Sequence, residues 1–499
     1  MSAANVTFYE RVEDALQDKK LHAALNLATT RFVTLRAKGF DSLPEADALR
    51  DHGRRIRAHT LAHLDRYLAQ FAEAVERLGG HICWAETPEE ANRYVVELAQ
   101  ARGVKTVVKS KSMISEELEI NHELEAAGVR VVETDLGEYI IQLAQEKPSH
   151  IIAPVIHKSR QQIADLFREK LNATEADLAD VPSMTALARR LLRADFLQAD
   201  MGISGVNFGV AETGSICLVT NEGNGRLTTT TPRIHVAMMG MERLVPTIED
   251  LGVMLQLLAR SATGQKLSVY SNIITGPRRT AVQGSKGAGE QGGEMSPNPK
   301  SKIQNPKSVE PDGPDELHII ILDNGRSKVL GSEVAEILYC IRCGACLNIC
   351  PVYQQIGGHG YGSVYPGPVG AVLTPGLYGL EPWAELPHAS SLCGACREVC
   401  PMRIDIPRML LKLRDESTRA GQSPAWLKLG IGLYRFAVVR PSLYRLGGLL
   451  AGWTTRLLAK NGWISKLPGP VAAWTNTRDF PAFAPQSFSQ QWREERGRK

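Results

Sequence analysis

The first hundred residues carry apolar side chains at the spacing of amphipathic helices. The stretch HTLAHLDRYLAQFAEAVERLG repeats its apolar positions every three to four residues and ends at Gly79-Gly80. This period is typical of a helix that buries one face, and the glycine pair is a stop signal. The sequence therefore predicts a helical lead-in over residues 1–69, before the pattern changes.

Short apolar runs alternate with helical patterns farther along the chain. The strand candidates are VKTVVK, VRVVET, HIIAPVI, GVNFGVA, SICLVTN, RIHVAMM and LHIIIL. Helical patterns lie among them in SEELEINHELEAAG, at residues 137–146 and from about residue 248 to 261. Strands that alternate with helices indicate a mainly parallel sheet covered on both faces. We therefore expect one α/β domain over residues 70–330.

A segment rich in Gly, Pro, Ser and Lys interrupts this domain at about residues 281–315. It has almost no large apolar residue with which to offset the entropy of ordering, so we expect a flexible insertion. Residues 287–292 read GAGEQG and match the pattern GxGxxG. No strand leads into this segment and EMSPNPK is not a helix, so a dinucleotide site is not indicated.

Global charge excludes some classes of partner. Lys and Arg number 58 and Asp and Glu number 54, so a strongly basic nucleic-acid binder is not indicated. No long uncharged apolar run predicts a membrane-spanning helix. The acidic N-terminus does not resemble a signal peptide. We therefore expect a cytoplasmic protein, with or without peripheral contact to the inner face of the membrane.

The C-terminal tail, residues 421–499, differs from the rest of the chain. From residue 425 onward it has twelve Lys or Arg against three Asp or Glu, and five of the seven Trp. Arg435, Arg440 and Arg445 stand among Leu, Tyr and Trp, and Pro441 breaks any continuous helix. Basic groups beside apolar faces suit an anionic membrane surface or an acidic partner. Packing of the tail against the preceding residues is the alternative.

Seven of the nine cysteines lie between residues 340 and 400. The first run reads Cys340-x2-Cys343-x2-Cys346-x3-Cys350-Pro351, which is the bacterial ferredoxin pattern for a 4Fe-4S cluster. In ferredoxins with two clusters, the fourth cysteine of such a run ligates the other cluster. The spacing therefore predicts cysteine ligands exchanged between two runs.

A second run, Cys393-x2-Cys396-x3-Cys400-Pro401, has Ser390 where a fourth thiolate is expected. Crossed ligation assigns cluster 1 to Cys340, Cys343, Cys346 and Cys400, and cluster 2 to Cys350, Cys393 and Cys396. The Ser390 oxygen, solvent, an external ligand or a 3Fe-4S form could complete cluster 2. We expect a small α-helical ferredoxin-like module over residues 331–420 with two 4Fe-4S clusters.

Zinc is the alternative to iron and sulfide, because two CxxC pairs can supply four thiolates to one tetrahedral ion. The third cysteine of each run and the repeated Cys-Pro ending favour iron–sulfur clusters instead. Between the runs, residues 351–392 contain eight Gly and six Pro, so we expect irregular loops there.

These features together resemble the lactate utilization protein B family. The stretches that carry the resemblance are RAHTLAHLDRYLAQFAEAVERLGGHICWA, VKSKSMISEELEINHELEAAGVRVVETDLGEYIIQLA, KPSHIIAPVIHKSR, GVNFGVAETGSICLVTNEGNGRL, LHIIILDNGRS, CIRCGACLNICPVY and LCGACREVCP. The resemblance implies a LUD domain of the NagB/RpiA/CoA-transferase-like class, a two-cluster ferredoxin module and a family-specific tail. It also implies cluster ligation by the seven cysteines. The insertion after TGPRRT departs from it.

The resemblance implies an iron–sulfur electron-transfer subunit of a complex that oxidises L-lactate to pyruvate and so allows growth on lactate. Substrate chemistry then sits wholly or partly on other subunits of the complex, and no catalytic residue of this chain is identified. The alternative is a subunit that serves another dehydrogenase, for glycolate or an amino acid. By resemblance to the CoA-transferase-like class, Lys109 and Glu212 are candidate contacts to an acidic substrate; alternatively, they hold turns and interfaces together.

Overall fold

The computed structural model describes residues 6–278, 313–422, 425–475 and 478–497. The chain divides into two compact units, residues 1–417 and residues 418–499. The predicted helical lead-in, α/β domain and most of the cysteine-rich module all lie in the first unit. The predicted insertion and its GAGEQG sequence lie outside the described residues, apart from residues 313–315.

Helices and strands alternate through most of the first unit. Its helices are α1 Phe8–Gln17, α2 Lys19–Asp41, α3 Ala46–Ala62, α4 Leu64–Arg77, α5 Pro88–Ala101, α6 Met113–Glu117, α7 Ile120–Ala126, α8 Leu136–Ala144, α9 Arg160–Leu171, α10 Val181–Gln198, α11 Asn224–Thr230, α12 Ile248–Thr263, α13 Arg326–Leu330, α14 Ala345–Asn348, α15 Tyr353–Ile356, α16 Gly367–Tyr378, α17 Ala395–Val399 and α18 Ile406–Arg419. Its strands are β1 His81–Ala85, β2 Thr106–Lys109, β3 Arg130–Glu133, β4 Met201–Gly205, β5 Phe208–Val210, β6 Ser215–Thr220, β7 Ile234–Gly240, β8 Leu244–Val245, β9 Tyr270–Ile274 and β10 Glu316–Leu322.

The main sheet has six strands in the order β1-β10-β7-β4-β2-β3. Every neighbouring pair in it is parallel, with His318 of β10 opposite His81 of β1 and Val236 of β7. The central strands β7 and β10 are almost entirely buried, as expected for strands covered on both faces. The predicted α/β fold with a parallel sheet is confirmed.

A second sheet has the order β8-β5-β6-β9 and is mainly antiparallel. The predicted strand GVNFGVA is divided between the two sheets: Gly205 ends β4, and Phe208 begins β5. Between them, the Val206 N–H donates to Met238 O in the main sheet and the Asn207 N–H donates to Cys217 O in the second. The chain therefore changes sheets within two residues.

One apolar core joins the second sheet to the cysteine-rich segment. It includes Phe71, Phe208 and Leu257 from the α/β region together with Ile337 and Met402 beside the cysteines. A separate apolar core fills the other face of the main sheet, between the strands and α5 to α7. The cysteine-rich segment is thus packed directly on the α/β region.

Two predictions about secondary structure are wrong. HIIAPVI, residues 150–156, forms turns, closed by a hydrogen bond from the Ser149 N–H to Pro154 O, and Pro154 has no N–H to donate to a strand. Residues 351–392 are not purely irregular, because they contain α16. Pro368 occupies its first turn, where a missing N–H costs nothing, and most of its side chains are buried. Packing therefore outweighs the low helix propensity of its glycines.

The second unit contains α19 Ala425–Val438, α20 Pro441–Leu458, the antiparallel strands β11 Trp463–Ile464 and β12 Phe480–Pro481, and α21 Phe488–Gly497. Helix α20 begins at Pro441, as the break predicted at this proline requires. Among the described residues, no helix combines the length and the apolar character needed to cross a bilayer.

A buried ion pair connects α6 to α13 inside the first unit. The Arg326 guanidinium donates to both Glu117 carboxylate oxygens, at 2.9 and 2.8 Å, and neither side chain is more than 1% exposed. Tyr365 Oη and Asn324 Nδ2 also donate to Glu117. Burial raises the pKa of Glu117, but Arg326 and these donors lower it below its ordinary value. The carboxylate is therefore charged and fully hydrogen-bonded.

We predict that Glu117→Gln destabilises the protein by about 3–5 kcal/mol, because it removes one of the two carboxylates that pair with the buried Arg326 charge. Urea unfolding followed by circular dichroism measures this loss. The matched control is Glu175→Gln, which removes an exposed partner of Arg168 and should cost at most about 1 kcal/mol. Equal effects of the two substitutions would contradict the role of the buried pair.

Candidate iron–sulfur centre

The two cysteine runs have the same local backbone. Arg342 and Leu392, each just before a Cys-Gly-Ala-Cys sequence, have φ values of 58° and 56°. Gly344 and Gly394, two positions later, have φ values of 73° and 85°. Non-glycine residues in this left-handed region are uncommon and strained, so their recurrence marks two copies of one turn. Each turn leads into a short helix, α14 or α17.

The repeat places Ser390 in the position that Cys340 occupies in the first run. The Arg342 N–H donates to Cys340 Sγ at 3.3 Å, and the Leu392 N–H donates to Ser390 Oγ at 3.1 Å. Arg414 Nη2 also donates to Ser390 O at 2.9 Å and fixes the backbone there. The serine oxygen is therefore held as the corresponding thiol is.

Four thiols line one small cavity. They are those of Cys340, Cys343, Cys346 and Cys400, and the cavity walls are otherwise mostly apolar. Burial and, less strongly, the nearby Cys340 and Cys400 raise the pKa of the Cys343 thiol to about 12. Burial likewise raises the pKa of Cys400, to about 11. Four thiolates crowded in this way require positive charge to compensate their own, and the iron ions of a cluster supply it.

The other three thiols form a second group. Cys350 and Cys396 are buried and Cys393 is exposed. Burial and, less strongly, the nearby Cys350 and Cys393 raise the pKa of Cys396 to about 12. Cys396 also raises the pKa of Cys346, so the two thiol groups are adjacent. The structure thus places four of the seven cysteines around one cavity and the other three beside one another, and their assignment to two clusters stays a prediction.

This grouping does not favour the zinc alternative. A single zinc ion held by the two CxxC pairs would gather Cys343, Cys346, Cys393 and Cys396. Instead, the cavity that contains Cys343 and Cys346 is completed by Cys340 and Cys400. The remaining two cysteines, Cys83 and Cys217, lie in β1 and β6, away from this cavity.

Arginines on the N-terminal helices hold the cysteine-bearing segments. From α3, Arg50 Nη2 donates to Cys400 O at 2.8 Å, Arg54 Nη1 to Arg403 O at 2.9 Å, and Arg57 Nη2 to Leu338 O at 2.9 Å. These three arginines share one face of α3, because they are four and three residues apart. The contacts of these arginines could not be identified from the sequence. Their helical spacing was visible, but their acceptors lie some three hundred residues away.

A fourth arginine, Arg36 of α2, donates through Nη2 to Val399 O at 2.6 Å. Burial lowers the pKa of Arg36, while the nearby Cys343 and Cys400 raise it. The N-terminal helices therefore provide positive charge beside the first thiol group as well as hydrogen bonds to its backbone. Positive charge near thiolates favours their ionised, metal-binding form.

Lys109 is occupied by internal contacts. Its Nζ is buried between Glu116 and Glu133, each at 2.7 Å, and also donates to Ser115. Burial lowers the pKa of Lys109, and the two carboxylates more than compensate, so that it is raised overall. These contacts match the alternative in which Lys109 holds an interface. A role in substrate binding stays a prediction.

Glu212 is exposed in the turn between β5 and β6. It accepts a hydrogen bond from the Ile248 N–H, at 3.2 Å, in the first turn of α12. A cavity of the α/β region is lined by residues 218–222, at the other end of β6, and among its lining residues are neither Glu212 nor Lys109. The structure does not bring these two residues together, and the substrate role of Glu212 also stays a prediction.

Three family models match successive parts of the chain. One described as "LUD domain" matches residues 68–290, and one described as "4Fe-4S dicluster domain" matches residues 336–404. One described as "Lactate utilisation protein B, C-terminal" matches residues 416–497. The α/β region and the cysteine-rich region therefore match two different domain families.

Curated relatives match over nearly the whole length. The chain is 44% identical over 489 residues to a lactate utilization protein B of Bacillus thuringiensis (strain Al Hakam), covering 98% of this chain and 97% of the relative. It is 44% identical over 495 residues to that of Bacillus cytotoxicus, covering 99% and 98%. A crystal structure of a DUF162 family protein from Deinococcus radiodurans matches with 11% identity and a TM-score of 0.25, over 52% of this chain and 98% of that one.

Proposed function

Because the chain belongs to the lactate utilization protein B family, we propose that it is the iron–sulfur electron-transfer subunit of a complex that oxidises L-lactate to pyruvate. Its LUD domain and 4Fe-4S module support a role in lactate utilisation. The electron-transfer role is supported by the two adjacent thiol groups, which are packed on the LUD domain. Two neighbouring redox sites are typical of a protein that relays electrons, whereas a metal site with a purely structural role needs no neighbouring second site.

In this proposal, Cys340, Cys343, Cys346 and Cys400 hold cluster 1, and Cys350, Cys393 and Cys396 hold cluster 2. Iron–sulfur clusters supply one-electron transfer, and lactate oxidation releases two electrons. The protein's own part is to fix the thiols and to shield the first group from water. Cys393 is exposed whereas Cys343, Cys346 and Cys400 are buried. The second thiol group is therefore the one through which electrons would pass to or from a partner protein.

We predict that L-lactate reduces the clusters of the anaerobically purified chain only when the other subunits of the complex are present. Low-temperature EPR before and after lactate addition measures the reduced clusters. Cys343→Ala should remove most of the signal from cluster 1, because it deletes a buried ligand. Cys83→Ala is the matched control and should leave the spectrum unchanged, since Cys83 lies in β1.

Two results would contradict this division of labour. One is full lactate oxidation by the purified chain alone. The other is reduction by glycolate or an amino acid, and not by lactate, in every mixture with partner subunits, which would assign the chain to another dehydrogenase.

We further propose that Ser390 Oγ is the fourth protein ligand of cluster 2, on the strength of its correspondence with Cys340. Ser390→Ala should then increase the 3Fe-4S fraction, and Ser390→Cys should suppress it, because a thiolate binds the fourth iron more strongly than an alcohol oxygen does. EPR of the oxidised protein detects the 3Fe-4S form. Ser391→Ala, at the neighbouring position, is the control. If the parent protein and the three variants have the same 3Fe-4S fraction, Ser390 is not the fourth ligand, and solvent or an external group takes that place.

The C-terminal tail supports a further proposal, that it binds the surface of an anionic membrane. The described part of α19 contains no buried residue, and large apolar side chains such as Trp426, Leu429 and Leu433 are exposed on it. Exposed apolar surface of this extent marks an interaction site, and the excess of basic residues in the tail favours an anionic one. Peripheral binding requires no spanning helix.

We predict that the full chain co-sediments with phosphatidylglycerol vesicles at low salt and is released as salt is raised. Replacing Arg435 and Arg445 by Gln should weaken binding by roughly tenfold or more, because each basic residue contributes about 1 kcal/mol near an anionic surface. Gln at both Arg168 and Arg190 is the charge-matched control. If the chain does not bind vesicles at low salt but its tail binds a partner subunit, the tail is a protein-binding surface and the membrane proposal is wrong.

A further inference from the structure

A cavity of about 310 Å³ lies in the LUD domain, where several parallel strands end. Ser110 follows β2, Asn207 follows β4 and Arg243 follows β7, and all three line it. Ligands in α/β sheets bind at the carboxyl ends of the strands, where loops diverge. The opposite wall includes Ala259 and Ala262 of α12. The cavity is large enough for a small metabolite and lies where such a ligand is expected.

Arg342 connects this cavity to the first thiol group. It stands between Cys340 and Cys343 in the chain and lines both the LUD cavity and the cavity of the four thiols. Its backbone N–H donates to Cys340 Sγ. A ligand that contacts the Arg342 side chain would therefore lie beside cluster 1.

The Arg342 guanidinium is buried and incompletely satisfied. Its side chain is 6% exposed, and its Nη2 is 3.5 Å from Glu242 Oε1, at the limit of a hydrogen bond. The guanidinium also lies 4.7 Å from the centre of the Tyr365 ring. Its Nη1 has no hydrogen-bond partner among the described residues. A buried charged donor without an acceptor is costly, and an anion in the cavity would supply one.

The carboxylates near Arg342 are largely engaged by another arginine. Among the described residues, Arg243, Arg326 and Arg342 form their ion pairs with Glu117 and Glu242. Glu242 Oε2 is already engaged by Arg326 at 2.8 Å, and both oxygens of Glu117 are also engaged by Arg326. Arg342 is therefore left with a contact of 3.5 Å to Glu242 Oε1.

The remaining charged groups limit the charge of a ligand. Lys111 lines the cavity, and its Nζ donates to Ile152 O. Asp135 and Glu222 line it too. Burial raises the pKa of Glu222, and the nearby Asp135 raises it further. Two carboxyl groups in the lining disfavour a ligand with several negative charges, whereas a single carboxylate can pair with Arg342 Nη1, which has no partner among the described residues.

We propose that this cavity binds a small monocarboxylate anion whose carboxylate pairs with Arg342 beside cluster 1. The guanidinium fork matches the two oxygens of a carboxylate. The hydroxyl groups of Ser110 and Ser112 in the same lining are available to polar substituents of the ligand. This inference goes beyond the proposed function, because electron transfer by itself requires no ligand in the LUD domain.

Equilibrium dialysis of the anaerobically purified full chain, with its clusters and without partner subunits, tests the proposal. The probes are radiolabelled L-lactate, pyruvate and propionate, with inorganic phosphate for comparison. We expect saturable binding of one carboxylate per chain and weaker binding of phosphate. The EPR spectrum of the reduced chain should also change on addition of the carboxylate, since Arg342 contacts both cavities.

Arg342→Gln should weaken carboxylate binding by roughly ten- to a hundredfold, the effect of losing a charged hydrogen-bond donor. Because Arg342 adjoins cluster ligands, this substitution can also lower the iron content. Ala262→Phe is therefore the second variant: it fills the cavity from α12, away from the cysteines, and should abolish binding at unchanged iron content. Arg168→Gln, at an exposed arginine, is the control and should bind as the parent protein does.

The proposal is overturned if no carboxylate binds saturably, if phosphate binds more tightly than every carboxylate, or if Ala262→Phe binds as the parent does. These outcomes are separable from a failure of the proposed function. Loss of lactate-dependent cluster reduction in the presence of partners, with carboxylate binding intact, would count against the electron-transfer role alone.

Discussion

Hydrogen bonds from arginines on α3 to carbonyls of the cysteine-bearing segments are the interaction on which the rest of the structure depends. Buried carbonyls need donors, and tight loops around thiols cannot supply them from regular secondary structure. Arg50 and Arg57 satisfy Cys400 O and Leu338 O near the two ends of the cysteine-rich region. Arg57 also donates to Leu244 O in β8. One helix thus fixes the thiol cavity and attaches it to the LUD domain.

This attachment places the thiol cavity beside the cavity of the LUD domain. Arg342 lies in the tight turn of the first cysteine run and also lines the cavity at the strand ends of the LUD domain. Glu242 lines the same cavity of the LUD domain and is paired with Arg326. A LUD domain and a ferredoxin-like module that merely followed one another in sequence would not share a lining residue such as Arg342. Their common core makes communication between a bound anion and a cluster physically direct.

Local patterns predicted much of the fold, whereas distant contacts were beyond them. VKTVVK and VRVVET became β2 and β3 because continuous β-branched runs suit buried parallel strands. Cysteine spacing likewise anticipated which thiols the structure groups. HIIAPVI failed because Pro154 closes a local turn. Arg54 and Arg342 could not be identified, because their roles arise from acceptors and charges that only the folded chain brings near. Lys109 was a candidate substrate contact by resemblance, but the carboxylates of Glu116 and Glu133 engage it.

The central claim is that the folded chain holds two adjacent iron–sulfur clusters with ligands exchanged between the cysteine runs. Iron, acid-labile sulfide and zinc per chain, measured on anaerobically purified protein together with EPR of the fully reduced state, test it most directly. We expect about eight iron per chain, or about seven if cluster 2 is a 3Fe-4S form, and magnetic interaction between the two reduced clusters. Stoichiometric zinc with little iron, or about four iron with the spectrum of a single isolated cluster, would contradict it.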